Sequence, residues 1–167
     1  MHTTRRQLSM YVAGLLSDDI EAARHVLDPV QCRLIPAHVT LCREDEIAEL
    51  SQSELQRRFL NSEFKPITLH FGRPRLFSGH GVLIECIGGE DGFHSLREQL
   101  LGAPGVRTEP PHITLAHPRN LKSLGNSLAN AARLPDVISI VFRTVSLIQQ
   151  HGCQPWELLQ TFELQGS

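Results

Sequence analysis

The sequence predicts an α+β fold in which most strands pair antiparallel. Three observations predict it. Helical and β-rich stretches alternate along the 167 residues. The β-rich runs come in adjacent pairs around short Gly-containing turns, the signature of hairpins. One six-residue spelling, Pro-x-His-(Val/Ile)-Thr-Leu, occurs in each half: PAHVTL at Pro36–Leu41 and PPHITL at Pro110–Leu115.

The elements follow in order. Gln7 to Leu16 reads as a first strand. Arg5-Arg6 and the short apolar run SMYVAGLL imitate an export signal, but Ser17-Asp18-Asp19 follows directly and no small-residue cleavage site precedes it, so a strand is the better account. Ser17 or Asp18 can cap a helix to about Leu27, with Ile20, Ala23 and Leu27 on one face and Asp28-Pro29 ending it. Cys32 to Arg43, rich in Val, Ile, Leu and Thr, reads as extended and carries the first motif copy. Ser51 to Asn61 is helical, with Leu55 and Phe59 at i, i+4. Pro66–Phe77 and Gly81–Ile87 form a hairpin about Ser78-Gly79-His80-Gly81. Phe93, Leu96, Leu100 and Leu101 mark a helix closed by Gly102 and Pro104. Val106 to Glu109 lead into the second motif copy, and Leu121, Leu124 and Leu128 suggest a further helix. Val137–Gln149 and Trp156–Leu164 close the chain as a β-rich pair around His151-Gly152.

Composition narrows the function. Sixteen Lys and Arg against eighteen Asp and Glu leave a net charge of −2, which argues against a protein that coats nucleic acid through a broad basic face. A small anionic substrate needs only a few local positive groups and stays in play. Cys32, Cys42, Cys86 and Cys153 are widely spaced with no CxxC pair, so reduced thiols and a cytoplasmic protein are expected, with no zinc knuckle or redox dithiol. No apolar stretch has the length to span a membrane, so no membrane partner is expected. HxxxxH at His112 and His117 has neither the helical HExxH spacing nor a completing carboxylate or Cys, so no metal is expected. There is no GxSxG elbow, and Gly88-Gly89 lacks the Lys-Ser/Thr of a phosphate-binding loop.

The repeated motif carries the chemistry. With nine His and eight Thr, one His-x-Thr arises by chance roughly half the time and means little. Two copies sharing Pro at −2, a β-branched residue between and Leu after are a different matter. On a strand, residues i and i+2 share a face at roughly 6.5–7 Å. His38 and Thr40 therefore share one, as do His112 and Thr114, while Val39, Leu41, Ile113 and Leu115 point into the core. Packing has no need to repeat both polar types in the same order. Near neutral pH one imidazole can accept a proton while the other donates one, and the two hydroxyls can hold the non-bridging oxygens of a phosphate. In-line attack on a phosphodiester needs a group on each side of phosphorus, which explains two copies.

These residues resemble the 2H phosphoesterases, named for two His-x-Thr/Ser motifs, and within them the RNA 2′,3′-cyclic phosphodiesterase and 2′–5′ RNA ligase-like branch. PAHVTL and PPHITLAH carry the match, supported by the opening strand and helix and the closing pair SIVFRTVSLIQQHG and PWELLQTFEL. The resemblance implies a single domain, residues 1–167, of two pseudo-symmetric lobes with one motif each (38–40 and 112–114), built as two mostly antiparallel sheets with flanking helices around a central cleft. It implies His38 and His112 as the acid–base pair and Thr40 and Thr114 as phosphate-binding residues. It implies a monomer without cofactor, acting on RNA ends or cyclic nucleotides by hydrolysis of the cyclic phosphate. Ligation, the reverse transesterification, and a non-catalytic RNA-end-binding module on the same fold are the alternatives.

The departures are informative. The branch often has Arg shortly after the second motif, where this chain has His117 before Pro118-Arg119. His117 and Arg119 are candidate substrate contacts; five residues beyond His112, His117 would face away from it in an unbroken strand. Arg43, Arg73 and Arg75 are further candidate anion partners, and Phe77 or Trp156 could stack on a base. Cys42 continues the first motif strand and reads as a small packing residue.

Overall fold

The expected first strand shortens at its C-terminal end, since Leu16 already opens a helix that has no side-chain cap, and Asp28-Pro29 departs further from the local reading. In the computed structural model, which describes residues 3–102 and 110–165, the first helix runs Leu16–Leu27 (α1) after strand β1, Thr4–Tyr11. Asp18 and Asp19 sit in its first turn, where negative charge suits the helix dipole. Ile20 and Leu27 are buried as expected. Asp28 ends α1 but also starts a new helix, Pro29–Leu34 (α2): its carboxylate accepts the Gln31 N–H, and Pro29 takes the first helical position, where a missing N–H costs nothing. The expected extended run from Cys32 therefore shortens to strand β2, His38–Cys42.

The remaining elements are α3, Gln52–Leu60; β3, Ile67–Phe77; β4, Gly81–Gly88; α4, Glu90–Leu101; β5, His112–Ala116; α5, Leu128–Ala131; β6, Ile138–Phe142; β7, Thr144–His151; and β8, Glu157–Glu163. Ser51 caps α3 on the Glu54 N–H, and Gly102 ends α4 in the left-handed conformation. Two expectations are corrected. Leu121 and Leu124 lie exposed in a turn-rich segment, and only Leu128–Ala131 is helical, capped by Ser127. The single run Val137–Gln149 is two strands, β6 and β7, which break at Arg143 and lie in opposite halves of the sheet. The connection Val106–Glu109 lies outside the described residues.

The eight strands of the described residues belong to one antiparallel sheet ordered β6-β3-β4-β5-β2-β1-β7-β8. The α+β class is as expected, but the expected two sheets are corrected to one, because β2 pairs with β5 and joins two four-stranded halves. The halves contain related walks from a strand through helix to an antiparallel neighbour: β1-α1-α2-β2 in one, with the extra short helix, and β4-α4-β5 in the other. Where the halves meet, β2 pairs with β5 through a single register position, Val39 opposite Ile113. By contrast β1 follows β7 continuously from Thr4 to Ser9. Val39, Leu41, Ile113, Leu115, Leu8, Met10 and Ile84 point into one apolar core with Ile20 and Leu27 of α1 and Leu96 and Leu100 of α4. Each of these helices also lies against the other half's motif strand, α1 on β5 and α4 on β2. Among the described residues no helix is long and apolar enough to cross a membrane.

Candidate active site

Alternation along β2 and β5 decides what the centre of the sheet displays. Val39, Leu41, Ile113 and Leu115 are fully buried on the core side. Their neighbours His38, Thr40, His112 and Thr114 are half-buried on the opposite side. With Val39 opposite Ile113 in antiparallel register, His38 falls across from Thr114 and Thr40 across from His112. The two copies thus interlock: each histidine faces the threonine of the other. Flanking strands add Tyr11 opposite His38, Ser9 opposite Thr40, Leu83 opposite Thr114 and Glu85 opposite His112.

The prolines at −2 explain the longer motif. His38 Nδ1 lies 2.8 Å from the Pro36 carbonyl oxygen and His112 Nδ1 lies 3.3 Å from that of Pro110. A carbonyl can only accept, so Nδ1 carries the proton in both rings and Nε2 is left for chemistry. Prolyl N–H groups are absent, and each motif enters its strand with its carbonyl turned back on the imidazole. The rings are locked in one tautomer before any substrate arrives.

The surroundings of the two rings differ. His38 is packed edge-on to Tyr11, with ring centroids 6.3 Å apart. Burial pushes its pKa down to about 4; the Arg24 and His112 charges add to the depression, while the Pro36 carbonyl and Glu21 oppose it. His38 is therefore neutral near pH 7, with Nε2 a proton acceptor. His112 borders a small pocket lined by Thr40, Arg43, Glu46, Phe93, Arg97 and Pro111. On its other flank Glu85 is ion-paired with Arg75.

Two charge pairs that the sequence did not advertise flank the motif strands. Arg24 is 1% exposed, donates to both Glu21 carboxylate oxygens through Nη1 at 2.8 and 3.0 Å, and donates to the carbonyls of Ile35 at 2.8 Å and Thr114 at 3.3 Å. Glu21 also accepts the Ala37 N–H. Arg97 donates to the Leu41 carbonyl and pairs with Glu46 at 2.5 Å, and Glu46 accepts the Arg43 N–H at 2.8 Å. Glu21 and Arg24 at i, i+3 look like an ordinary surface pair in sequence, and nothing local marks Arg97.

The other sequence candidates separate. Arg43 stands in the pocket beside Thr40 and His112. His117 sits just beyond β5, its N–H donating to Asp28 at 2.9 Å and its Nδ1 accepting the Arg119 N–H at 3.2 Å. Burial, aided by Arg119, lowers its pKa. These bonds anchor the His117 backbone at the α1–α2 junction and the Arg119 backbone on the His117 ring. Arg73 is paired with Asp136 at an exposed site, and Trp156 is covered by the Arg5 guanidinium 5.0 Å from its ring centroid. Cys42 is buried, and burial pushes its thiol up to about 12, as suits a packing residue. The described cysteines are all free thiols.

Comparison with known proteins now has a geometry to meet. Residues 14–153 match the family model of the 2′-5′ RNA ligase superfamily. No curated protein sequence matches. Among solved structures, Escherichia coli LigT in complex with NADP+ superposes with a TM-score of 0.61 at 14% identity, covering 99% of this chain and 100% of that one. LigT in complex with 3′-AMP gives 0.57 at 15%, covering 98% and 99%. The protein TT0787 of Thermus thermophilus gives 0.54 at 18%, covering 97% and 98%. At such identities the likeness is one of fold, and it extends over essentially the whole of each chain. With the family model matched from just before α1 to just beyond β7 and both His-x-Thr copies inside the match, this chain belongs to the 2′-5′ RNA ligase superfamily of 2H phosphoesterases.

Proposed function

We propose that this protein is a metal-independent phosphodiesterase that opens 2′,3′-cyclic phosphates at RNA ends or in related cyclic nucleotides. One observation carries the reading: two tautomerically locked imidazoles, each facing the hydroxyl of the other copy, on a shared polar face. In the proposed reaction Thr40 and Thr114 hold the two non-bridging phosphoryl oxygens. His38, neutral at pH 7, accepts a proton at Nε2 from water as the water oxygen attacks phosphorus. The bond from phosphorus to one ribose oxygen breaks, and protonated His112 delivers its Nε2 proton to that oxygen. One water is consumed, one proton is gained by His38 and one lost by His112, and exchange with solvent restores both. Arg43, at the rim of the same pocket, adds positive charge for the phosphate or an adjoining one.

All four groups come from one chain, so the chemistry needs no second subunit. A solved relative of the same fold is in complex with 3′-AMP, which supports a nucleoside phosphate as the ligand class. Ligation follows the same path in the same direction, with an RNA hydroxyl in place of water as the nucleophile and a 2′–5′ phosphodiester as the product, and membership of the superfamily keeps it in view. Product analysis separates the two. An RNA oligonucleotide ending in 2′,3′-cyclic phosphate should give a linear monophosphate end whether or not a 5′-hydroxyl acceptor is present. Accumulation of a joined 2′–5′ product in place of the monoester would assign the protein to ligation instead. Binding with neither product would leave an RNA-end-binding module.

A further inference from the structure

The shortest strand pairing in the sheet runs through its chemistry. His38 and Thr40 belong to one half of the sheet, His112 and Thr114 to the other, and the strands that carry them pair only at Val39 and Ile113. So short a ladder fixes neither the gap nor the tilt between the halves, and it leaves buried backbone groups to be satisfied by side chains. Among the described residues two arginines are buried, Arg24 and Arg97, and both lie at this junction. They are crossed. Arg24, from the helix of the first half, reaches the Thr114 carbonyl of the second half's motif. Arg97, from the helix of the second half, reaches the Leu41 carbonyl at the end of the first half's motif strand.

Each arginine also ties its grip to the entry or exit of β2. Arg24 holds the Ile35 carbonyl, and its partner Glu21 holds the Ala37 N–H, so one ion pair bounds His38 on its N-terminal side while gripping the strand that faces it. Arg97 and its partner Glu46 hold the Leu41 carbonyl and the Arg43 N–H on the C-terminal side. A guanidinium offers five donors in a rigid plane and can serve a carboxylate and two carbonyls at once; an ammonium on a flexible stem cannot hold that geometry.

We propose that Arg24 and Arg97 are positioning residues that set the separation of the two halves of the catalytic site, doing across β2 and β5 what a ladder of backbone hydrogen bonds does elsewhere in the sheet. Arg24 does not line the pocket beside His112, whereas Arg97 does, with its guanidinium committed to the Leu41 carbonyl and Glu46, so the Arg24 pair gives the cleaner test. The kinetic consequence rests on the phosphodiesterase reading above; the structural one stands without it.

The test uses charge-neutral replacements, Glu21→Gln/Arg24→Met and Glu46→Gln/Arg97→Met, so that no carboxylate is left buried alone. Turnover of a nucleoside 2′,3′-cyclic phosphate and amide hydrogen exchange of β2 and β5 are read on the folded protein. The expected result is a fall in kcat of about 10²-fold, the cost of misplacing reacting groups by an ångström, with KM within about threefold. Exchange should quicken in β2 and β5 while β3, β4 and β7 keep their protection. If a double variant does not fold, Arg24→Lys or Arg97→Lys takes its place, with the same split of smaller size. Folded variants with wild-type kcat and wild-type exchange at β2 and β5 would overturn the proposal, as would a loss confined to thermal stability. Should the wild type fail to hydrolyse the substrate, the phosphodiesterase reading falls, and the exchange measurement still decides whether the arginines hold the junction.

Discussion

The two motif copies are spelled alike and housed differently. Both place a histidine with Nδ1 committed to the carbonyl of the proline two residues before it, and both place a threonine across from the other copy's histidine. Beyond that the symmetry ends. His38 lies under Tyr11, near the Arg24 charge, and is held neutral well below its ordinary range. His112 lies between the Glu85–Arg75 pair and a pocket containing Arg43 and Glu46. The difference teaches that a repeated motif supplies two identical tools and the surrounding fold assigns their tasks. In the proposed reaction the acceptor and donor roles follow from the environments, since the motif residues themselves are the same.

The largest expected effect comes from breaking that division of labour outright. His38→Ala and His112→Ala should each lower kcat by about 10²–10⁴-fold, the usual range for a positioned acid or base. Their pH profiles should differ in kind. His38→Ala removes the acidic limb and His112→Ala the alkaline one, measured on a cyclic nucleotide. Identical profiles from the two variants would erase the comparison.

Removing a threonine should cost less. Each hydroxyl supplies one hydrogen bond to a charged oxygen, worth about 1.5–3 kcal/mol, so Thr40→Ala and Thr114→Ala should lose about 10–150-fold in kcat/KM. Because each threonine faces the opposite histidine, the cross-copy pair Thr40 and His112 should couple more strongly in a double-mutant cycle than Thr40 and His38.

The pH dependence sharpens the comparison further. In the wild type, kcat/KM should rise through pH about 4 as His38 loses its proton, the acidic limb of a two-limbed profile. Tyr11→Ala opens the His38 ring to water and should move the acidic limb upward by about one unit or less. Stability should follow the same group. Its folded pKa lies below the unfolded value near 6.5, so the unfolded chain takes up the proton first. The contribution of neutral His38 is therefore complete above about pH 6.5 and is lost as pH falls toward 4. His38→Phe should flatten that part of the acid-unfolding curve, which thermal melts across the interval would show.

Much of this is legible in the sequence, and the rest is not for identifiable reasons. The motif strands, the hairpin around Ser78–Gly81 and the α4 helix follow from alternation, turn chemistry and 3.6-residue spacing, all local. The inward and outward faces of His38–Leu41 and His112–Leu115 follow from the pleat alone. The α2 helix escapes a local reading because Asp28-Pro29 is both a stop and a start signal, and only the Gln31 N–H on the Asp28 carboxylate decides between them. The break at Arg143 is marked only by Arg143-Thr144 and a one-residue slip of phase, from buried Ile138, Ile140 and Phe142 to buried Val145 and Leu147, which does not say that the chain crosses from one half of the sheet to the other. Leu121 and Leu124 keep helical spacing and yet face solvent, since spacing carries no information on what lies opposite. The prolines at −2 are visible as a repeated letter, but their role resides in a carbonyl. Arg24 and Arg97 act through backbone carbonyls of strands far along the chain, which no periodicity can register.

The central claim is that two histidines of one chain divide proton acceptance and donation at a single phosphorus. The most direct measurement is hydrolysis of nucleoside 2′,3′-cyclic phosphates in EDTA by the purified protein beside its His38→Ala/His112→Ala double variant, with the fold of both confirmed by circular dichroism. The account predicts turnover by the wild type, undiminished by the chelator, and none above background by the double variant. Equal turnover by the two, or a wild-type rate that EDTA abolishes, would contradict it.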